Sequence, residues 1–158
     1  MQPIRQAADD FLSKRRIAVT GVSRTNGGHG SNTVYNRLRE RGYDVVPVNP
    51  NADKIEGDPC YPDLESIPDG VEAVVIGTRP ELAYPTMCEC ASLGIEHVWL
   101  HRGPGPGSTS DRAAAYGRDH GIRVINGGCP LMFGPTADFA HKCMRPILTL
   151  TRAVPRSV

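Results

Sequence analysis

The chain has 158 residues, the size of a single domain, and its 39% hydrophobic and 22% charged content is the balance of an ordinary globular protein. Eighteen basic side chains against seventeen acidic ones leave a formal charge of +1, which argues against a nucleic-acid binder with its basic patch. The five cysteines (Cys60, Cys88, Cys90, Cys129, Cys143) follow no regular spacing, and neither an apolar leader nor a run of roughly 20 apolar residues is present; this excludes a disulfide scaffold and a membrane span and leads to the expectation of a cytoplasmic protein.

Pro3 to Leu12 reads as a short amphipathic helix, with Ile4, Ala7, Ala8, Phe11 and Leu12 at helical spacing. Ile17-Ala18-Val19-Thr20 is a first strand, too short and too β-branched for a helix. Gly21 to Asn32, with Gly27, Gly28 and Gly30, reads as a loop, and Thr33 to Arg41 as a helix stopped by Gly42. Asp44 to Val48 is a second strand followed by Asn49-Pro50-Asn51, and Val71 to Ile76 a third followed by Gly77-Thr78-Arg79-Pro80. A helix then runs to Leu93 and ends at Gly94; Pro85 suggests that its regular part starts there, with Pro80 to Tyr84 as a separate turn. Glu96 to Leu100 is a fourth strand, Gly103 to Gly107 a Gly/Pro loop, Ser108 to His120 a helix with a polar start, and Ile122 to Ile125 a fifth strand. Asp138 to Thr151 forms one more amphipathic helix.

Near-continuous apolar strands alternating with helices imply right-handed βαβ units with both sheet faces covered. The expected fold is α/β, a Rossmann-like doubly wound five-stranded parallel sheet of order 3-2-1-4-5 with an extra C-terminal helix. Residues 1–135 form the domain, and residues 136–158 a helical extension packed on it.

Open parallel sheets bind ligands beyond the carboxyl ends of their strands, at the point where strand order reverses. For the expected order that crevice lies between the loops after strands one and four. It gathers Gly21-Val22-Ser23, Asn49-Pro50, Thr78-Arg79-Pro80 and His101-Arg102-Gly103. Gly21 permits a tight turn, and the amides leading into the next helix, with the Ser23 and Ser31 hydroxyls, suit phosphate oxygens at a helix N-terminus. Ser23 stands where a G-x-G-x-x-G loop has its second glycine, and no Gly-Lys-Ser/Thr of a P-loop follows. Strand two ends in Val48-Asn49-Pro50, without the acid that usually holds the ribose of NAD. The forked guanidinium of Arg79 suits a phosphate. His101 and Cys129 are the reactive side chains nearest this rim; no acid or base is visible beside Cys129, and His101 suits a ligand-facing donor. Cys88-Glu89-Cys90 lies on a helix, where i and i+2 diverge, so no metal site is expected.

Ile17-Ala18-Val19-Thr20-Gly21-Val22-Ser23, Gly42-Tyr43, Val46-Pro47-Val48-Asn49-Pro50, Cys60-Tyr61-Pro62, Arg79-Pro80-Glu81, Val98-Trp99-Leu100 and Cys129-Pro130 occur in that order. Together they resemble the coenzyme A-binding domain family, the stand-alone relatives of the N-terminal domain of the succinyl-CoA synthetase α subunit. The resemblance implies that Gly21, Val22, Ser23 and Ser31 hold a pyrophosphate, that Asn49 and Pro50 border the adenosine, and that Thr78, Arg79 and Pro80 line the opposite wall. Asn32 and His101 complete the set, at positions where relatives carry an aromatic residue and a glutamine, and Gly27, Gly28, His29 and Gly30 make the first loop unusually glycine-rich. The resemblance supplies no reaction, since the phosphohistidine of the synthetase lies in a second domain. The expected function is therefore non-catalytic binding of coenzyme A or an acyl-CoA, with no nucleic-acid or membrane partner. The C-terminal helix offers a surface for a homodimer. The alternative is a small NAD(P)-binding oxidoreductase or redox sensor on the same fold.

Overall fold

The computed structural model describes residues 1–25, 30–105 and 107–158. The elements run α1 (Ile4–Leu12), β1 (Arg16–Thr20), α2 (Gly30–Glu40), β2 (Asp44–Val48), β3 (Lys54–Ile55), β4 (Asp58–Pro59), β5 (Ala73–Ile76), α3 (Pro80–Ser92), β6 (His97–Leu100), α4 (Asp111–Asp119), β7 (Arg123–Asn126) and α5 (Phe139–Leu150), with a 3-10 turn at Pro130–Met132. Every pairing of the five-stranded sheet is parallel, as expected.

Its order is β2-β1-β5-β6-β7, which corrects the expected 3-2-1-4-5 to 2-1-3-4-5 for the same five strands. β1 lies between β2 and β5, with Ile17 opposite Val45 on one side and Ala73 on the other. The physical reason sits in β2 itself. Pro47 has no N–H to give to an inner ladder, so this strand belongs at an edge. The segment after β4 caps that edge, where the Tyr61 amide donates to the Pro47 carbonyl (3.2 Å) and the Asn49 amide to the Tyr61 carbonyl (2.9 Å).

Alternate residues of each strand feed two apolar layers, as the pleat requires. Ile17, Val19, Ala73, Val75 and Trp99 face α1, α2 and the turn after β7, where Phe11, Tyr35, Leu38 and Phe133 are buried. Ala18, Val74, Ile76, Val98 and Leu100 face α3 and α4, against Met87, Cys90, Ala113 and Ala114. Trp99 meets Phe11 edge-on at 5.3 Å, and its Nε1–H donates to the Gly127 carbonyl (2.9 Å).

Three local features depart from expectation. α2 starts at Gly30, so Ser31 and Asn32 are first-turn helical residues and not loop. α3 is one helix with Pro80 at its start, and Pro85 sits inside it with its ring exposed. Proline there removes the bond to the Glu81 carbonyl, one turn from the helix start. Between β2 and β5 lies an unexpected two-stranded ribbon, β3 with β4, turned by Glu56 (φ 49°) and Gly57 (φ 88°). The Tyr35 hydroxyl donates to the Asp58 carboxylate and Arg39 pairs with it at 3.0 Å, tying this ribbon to α2.

Beyond β7 the chain folds back on the same layers. Met144 and Leu148 of α5 pack against the first layer, while Phe139, Ile147 and Leu150 point outward. After α5 the Gly128 amide donates to the Ala153 carbonyl (2.7 Å), Val154 is buried, and Gln2 and Val158 exchange backbone bonds at 2.9 and 3.0 Å. Among the described residues no helix is long and apolar enough to cross a membrane.

Candidate functional site

The corrected strand order moves the switch point to the gap between β1 and β5. There two glycines cross backbone to backbone. Gly21 has φ +76°, and a Cβ on it would lie 2.5 Å from the Gly77 carbonyl oxygen. A Cβ on Gly77 would strike the Ser31 hydroxyl and lie 2.7 Å from the Thr20 carbonyl oxygen. The Gly77 amide donates to Thr20 Oγ1 (3.1 Å) and the Ser31 hydroxyl to the Gly77 carbonyl (2.8 Å), which pins both strand ends and the first turn of α2 together.

Two clefts open from this crossing and share Gly21 and Thr78. The β2-side cleft, of about 460 Å³, has apolar walls from Val22, Val48, Pro50, Pro62, Leu64, Leu82 and Pro85. Its polar lining comes from Ser23, Asn49, Asn51, Thr86, Asp63 and Glu89. The β6-side cleft, of about 370 Å³, is lined by Ser31, Arg79, His101, Ser108 and the glycines between Gly103 and Gly107.

Most of the expected residues thus meet at the crossing, in two groups. Gly21, Val22, Ser23, Asn49, Pro50 and Thr78 line the first cleft, and Gly21, Ser31, Thr78, Arg79 and His101 the second. Asn32 lines neither. It is buried behind the loop and grips Ser23 twice, accepting from the Ser23 amide and donating to the Ser23 carbonyl, both at 2.9 Å. Pro80 lines neither cleft and serves as the first residue of α3. Gly27, Gly28 and His29 of the first loop lie outside the described residues.

Several side chains have their hydrogen bonds already assigned. Asn49 Nδ2 donates to the Val22 carbonyl (2.7 Å) and its Oδ1 accepts from the Asn51 amide (2.8 Å), so this amide fastens the end of β2 to the end of β1. Glu89 Oε1 accepts from the Leu64 and Glu65 amides (2.8 and 3.1 Å), holding the wall formed by Pro62 to Leu64. The Ser108 hydroxyl donates to the Thr78 carbonyl, and its amide to the His101 carbonyl (2.7 Å). The Thr78 hydroxyl is different: among the described residues it is buried without a hydrogen-bond partner. The Arg79 side chain, at the N-cap of α3, makes no hydrogen bond or ion pair among the described residues.

The reactive side chains are quiet. Burial pushes the His101 imidazole down to about 4, with His141 adding to the effect, so the ring is neutral at pH 7. Burial raises the Cys129 thiol to about 12, and Cys129 lines neither cleft. Among the described residues neither has the partner that a nucleophile or general base needs. Among the described residues no group of three His, Cys, Asp or Glu side chains is arranged to hold a metal. The arrangement is suited to recognising an elongated ligand with an anionic middle.

The sequence reading missed Gly77, Ser108, the Pro62–Leu64 wall and the cleft-facing side of α3. Leu82, Pro85, Thr86 and Glu89 follow the i, i+3, i+4, i+7 rule of one helix face, a signal hidden by treating Pro85 as a helix start.

The family model for the CoA binding domain matches residues 15–135. ADP-forming acetate–CoA ligase II of Archaeoglobus fulgidus is 36% identical over 125 residues, which cover 73% of this chain and 18% of the ligase. The chain therefore spans less than a fifth of that relative. A hypothetical protein from Pyrococcus horikoshii superposes with a TM-score of 0.72 at 26% identity, covering 80% of this chain and 86% of that one. The apo form of a dinucleotide forming acetyl-coenzyme A synthetase 1 from Ca. Korarchaeum cryptofilum gives a TM-score of 0.61 at 26% identity, over 72% of this chain and 26% of the synthetase.

Proposed function

This chain belongs to the CoA binding domain family, and from that premise we propose that it binds coenzyme A or an acyl-CoA and catalyses no reaction alone. The pyrophosphate lies over the Gly21–Ser23 loop at the crossing, within reach of Arg79. The adenosine enters the β2-side cleft beside Asn49 and Pro50, and the pantetheine arm runs toward His101.

The observation that carries this reading is the meeting of two clefts over the ends of β1 and β5, where Gly21 and Thr78 line both. The Thr78 hydroxyl, buried without a partner among the described residues, would gain one in a phosphate oxygen once its side chain turns toward the clefts. The glycine crossing supports the same placement, because it draws the ends of β1 and β5 and the first turn of α2 together at the point from which both clefts open. The oxidoreductase alternative is not favoured. Val48-Asn49-Pro50 offers no carboxylate, Asn49 has its amide engaged on Val22 and Asn51, and burial keeps the Cys129 thiol protonated at pH 7.

Calorimetric and thermal-shift titrations of the whole chain with CoA, acetyl-CoA, NAD⁺ and NADPH test the proposal. A ligand at 100 times its Kd adds about 2.7 kcal/mol of stability. CoA or acetyl-CoA should give a shift of that size and the nicotinamide nucleotides none. Stabilisation by NAD⁺ or NADPH without CoA would replace this reading with the oxidoreductase one.

A further inference from the structure

The two clefts differ in charge as well as in polarity. The charged side chains that line the β2-side cleft are Asp63 and Glu89, and among the described residues no lysine, arginine or histidine joins them. Both carboxylates are fixed as acceptors. Asp63 Oδ1 takes the Ser66 amide (2.8 Å) and the Ser66 hydroxyl (2.6 Å), and Glu89 Oε1 takes the two amides of Leu64 and Glu65. The basic side chain of the site, Arg79, lines the other cleft. Arg24 and Lys54, the basic residues nearest in sequence to the loops after β1 and β2, are exposed and line neither.

Coenzyme A carries two kinds of phosphate. Its 5′-pyrophosphate is served by the glycine crossing, Thr78 and Arg79. Its 3′-phosphate sits on the ribose and must follow the adenosine into the β2-side cleft, among apolar walls and two like charges. A carboxylate offers a dianion repulsion and no hydrogen, since it is acceptor-only when ionised.

We infer that this site selects against the ribose 3′-phosphate, so that 3′-dephospho-coenzyme A, an adenosine 5′-diphosphate ester, is held more tightly than coenzyme A. The inference rests on the placement of adenosine in the β2-side cleft proposed above. It makes Asp63 and Glu89 specificity-determining residues, with the pantetheine and pyrophosphate recognised equally in the two ligands.

The test is a pair of calorimetric titrations of the whole chain at low ionic strength, with CoA and with 3′-dephospho-CoA. The dephospho ligand should bind about fivefold more tightly, and the gap should narrow in 0.5 M salt as screening shortens the reach of the carboxylates. Asp63→Asn and Glu89→Gln, singly and together, retain the acceptor oxygens that Ser66, Leu64 and Glu65 use. In the double variant the ratio of the two affinities should fall to about one, through a larger gain for CoA than for dephospho-CoA. Equal or tighter binding of CoA by the unaltered chain overturns the inference and leaves the CoA reading standing, as does a gap that persists in the double variant. Binding of neither ligand overturns both.

Discussion

Thr78 and Ser31 show how differently two hydroxyls at one crossing can be used. Ser31, expected at the phosphate, donates its proton to the Gly77 carbonyl, whereas among the described residues Thr78 keeps a buried oxygen unpaired. An unsatisfied buried hydroxyl costs about 1–3 kcal/mol, so Thr78→Val, which keeps the shape and deletes the hydroxyl, should leave urea stability unchanged or raise it by about 1 kcal/mol. The same variant should weaken CoA about tenfold by calorimetry, equivalent to the loss of about 1.4 kcal/mol. Unchanged affinity would mean that the hydroxyl does not face the ligand. Residue types at this site were legible in the sequence. Their partners were not, because the bonds from Ser31 to Gly77 and from Asn49 to Val22 join segments far apart in the chain.

At the level of elements, the grip of Asn32 on Ser23 couples α2 to the loop after β1. Asn32→Ala deletes both bonds and should destabilise the chain by about 1–2 kcal/mol in thermal or urea melts. CoA binding should weaken in parallel, since the loop that carries Gly21 to Ser23 would lose its fixed orientation. Five parallel strands with helices on both faces were readable from the apolar runs alone. Strand order is not written in those runs, which look alike for an inner and an edge strand once helices cover the sheet. Pro47 held the missing information, as a residue without an N–H in the middle of β2. The β3–β4 ribbon was hidden for a different reason. Its strands have two residues each, too few for any alternation, and only the Glu56-Gly57 turn marks it.

For the molecule as a whole, the last residues act as a strap between the two termini. Removing residues 153–158 takes away the burial of Val154, the Gly128–Ala153 bond and the paired bonds between Gln2 and Val158. The shortened chain should lose about 2–3 kcal/mol, a fall in Tm of roughly 5–10 °C at this size. Its CoA affinity should change less than twofold, because both clefts are lined by residues from Thr20 to Ser108. A larger loss of binding would show that the strap shapes the site.

The glycine crossing also bears on the order in which the chain assembles. β1 and β2 pair across one helical crossover, and β5, β6 and β7 pair in sequence, but joining these halves requires Ile17 to find Ala73 and Gly21 to meet Gly77. Loop closure costs more across that longer separation, which favours an assembly order in which the seam beneath the binding cleft closes last. Contacts made only after the seam closes are absent from the folding transition state. A nucleotide spanning the seam would therefore lengthen the lifetime of the native state without hastening its formation.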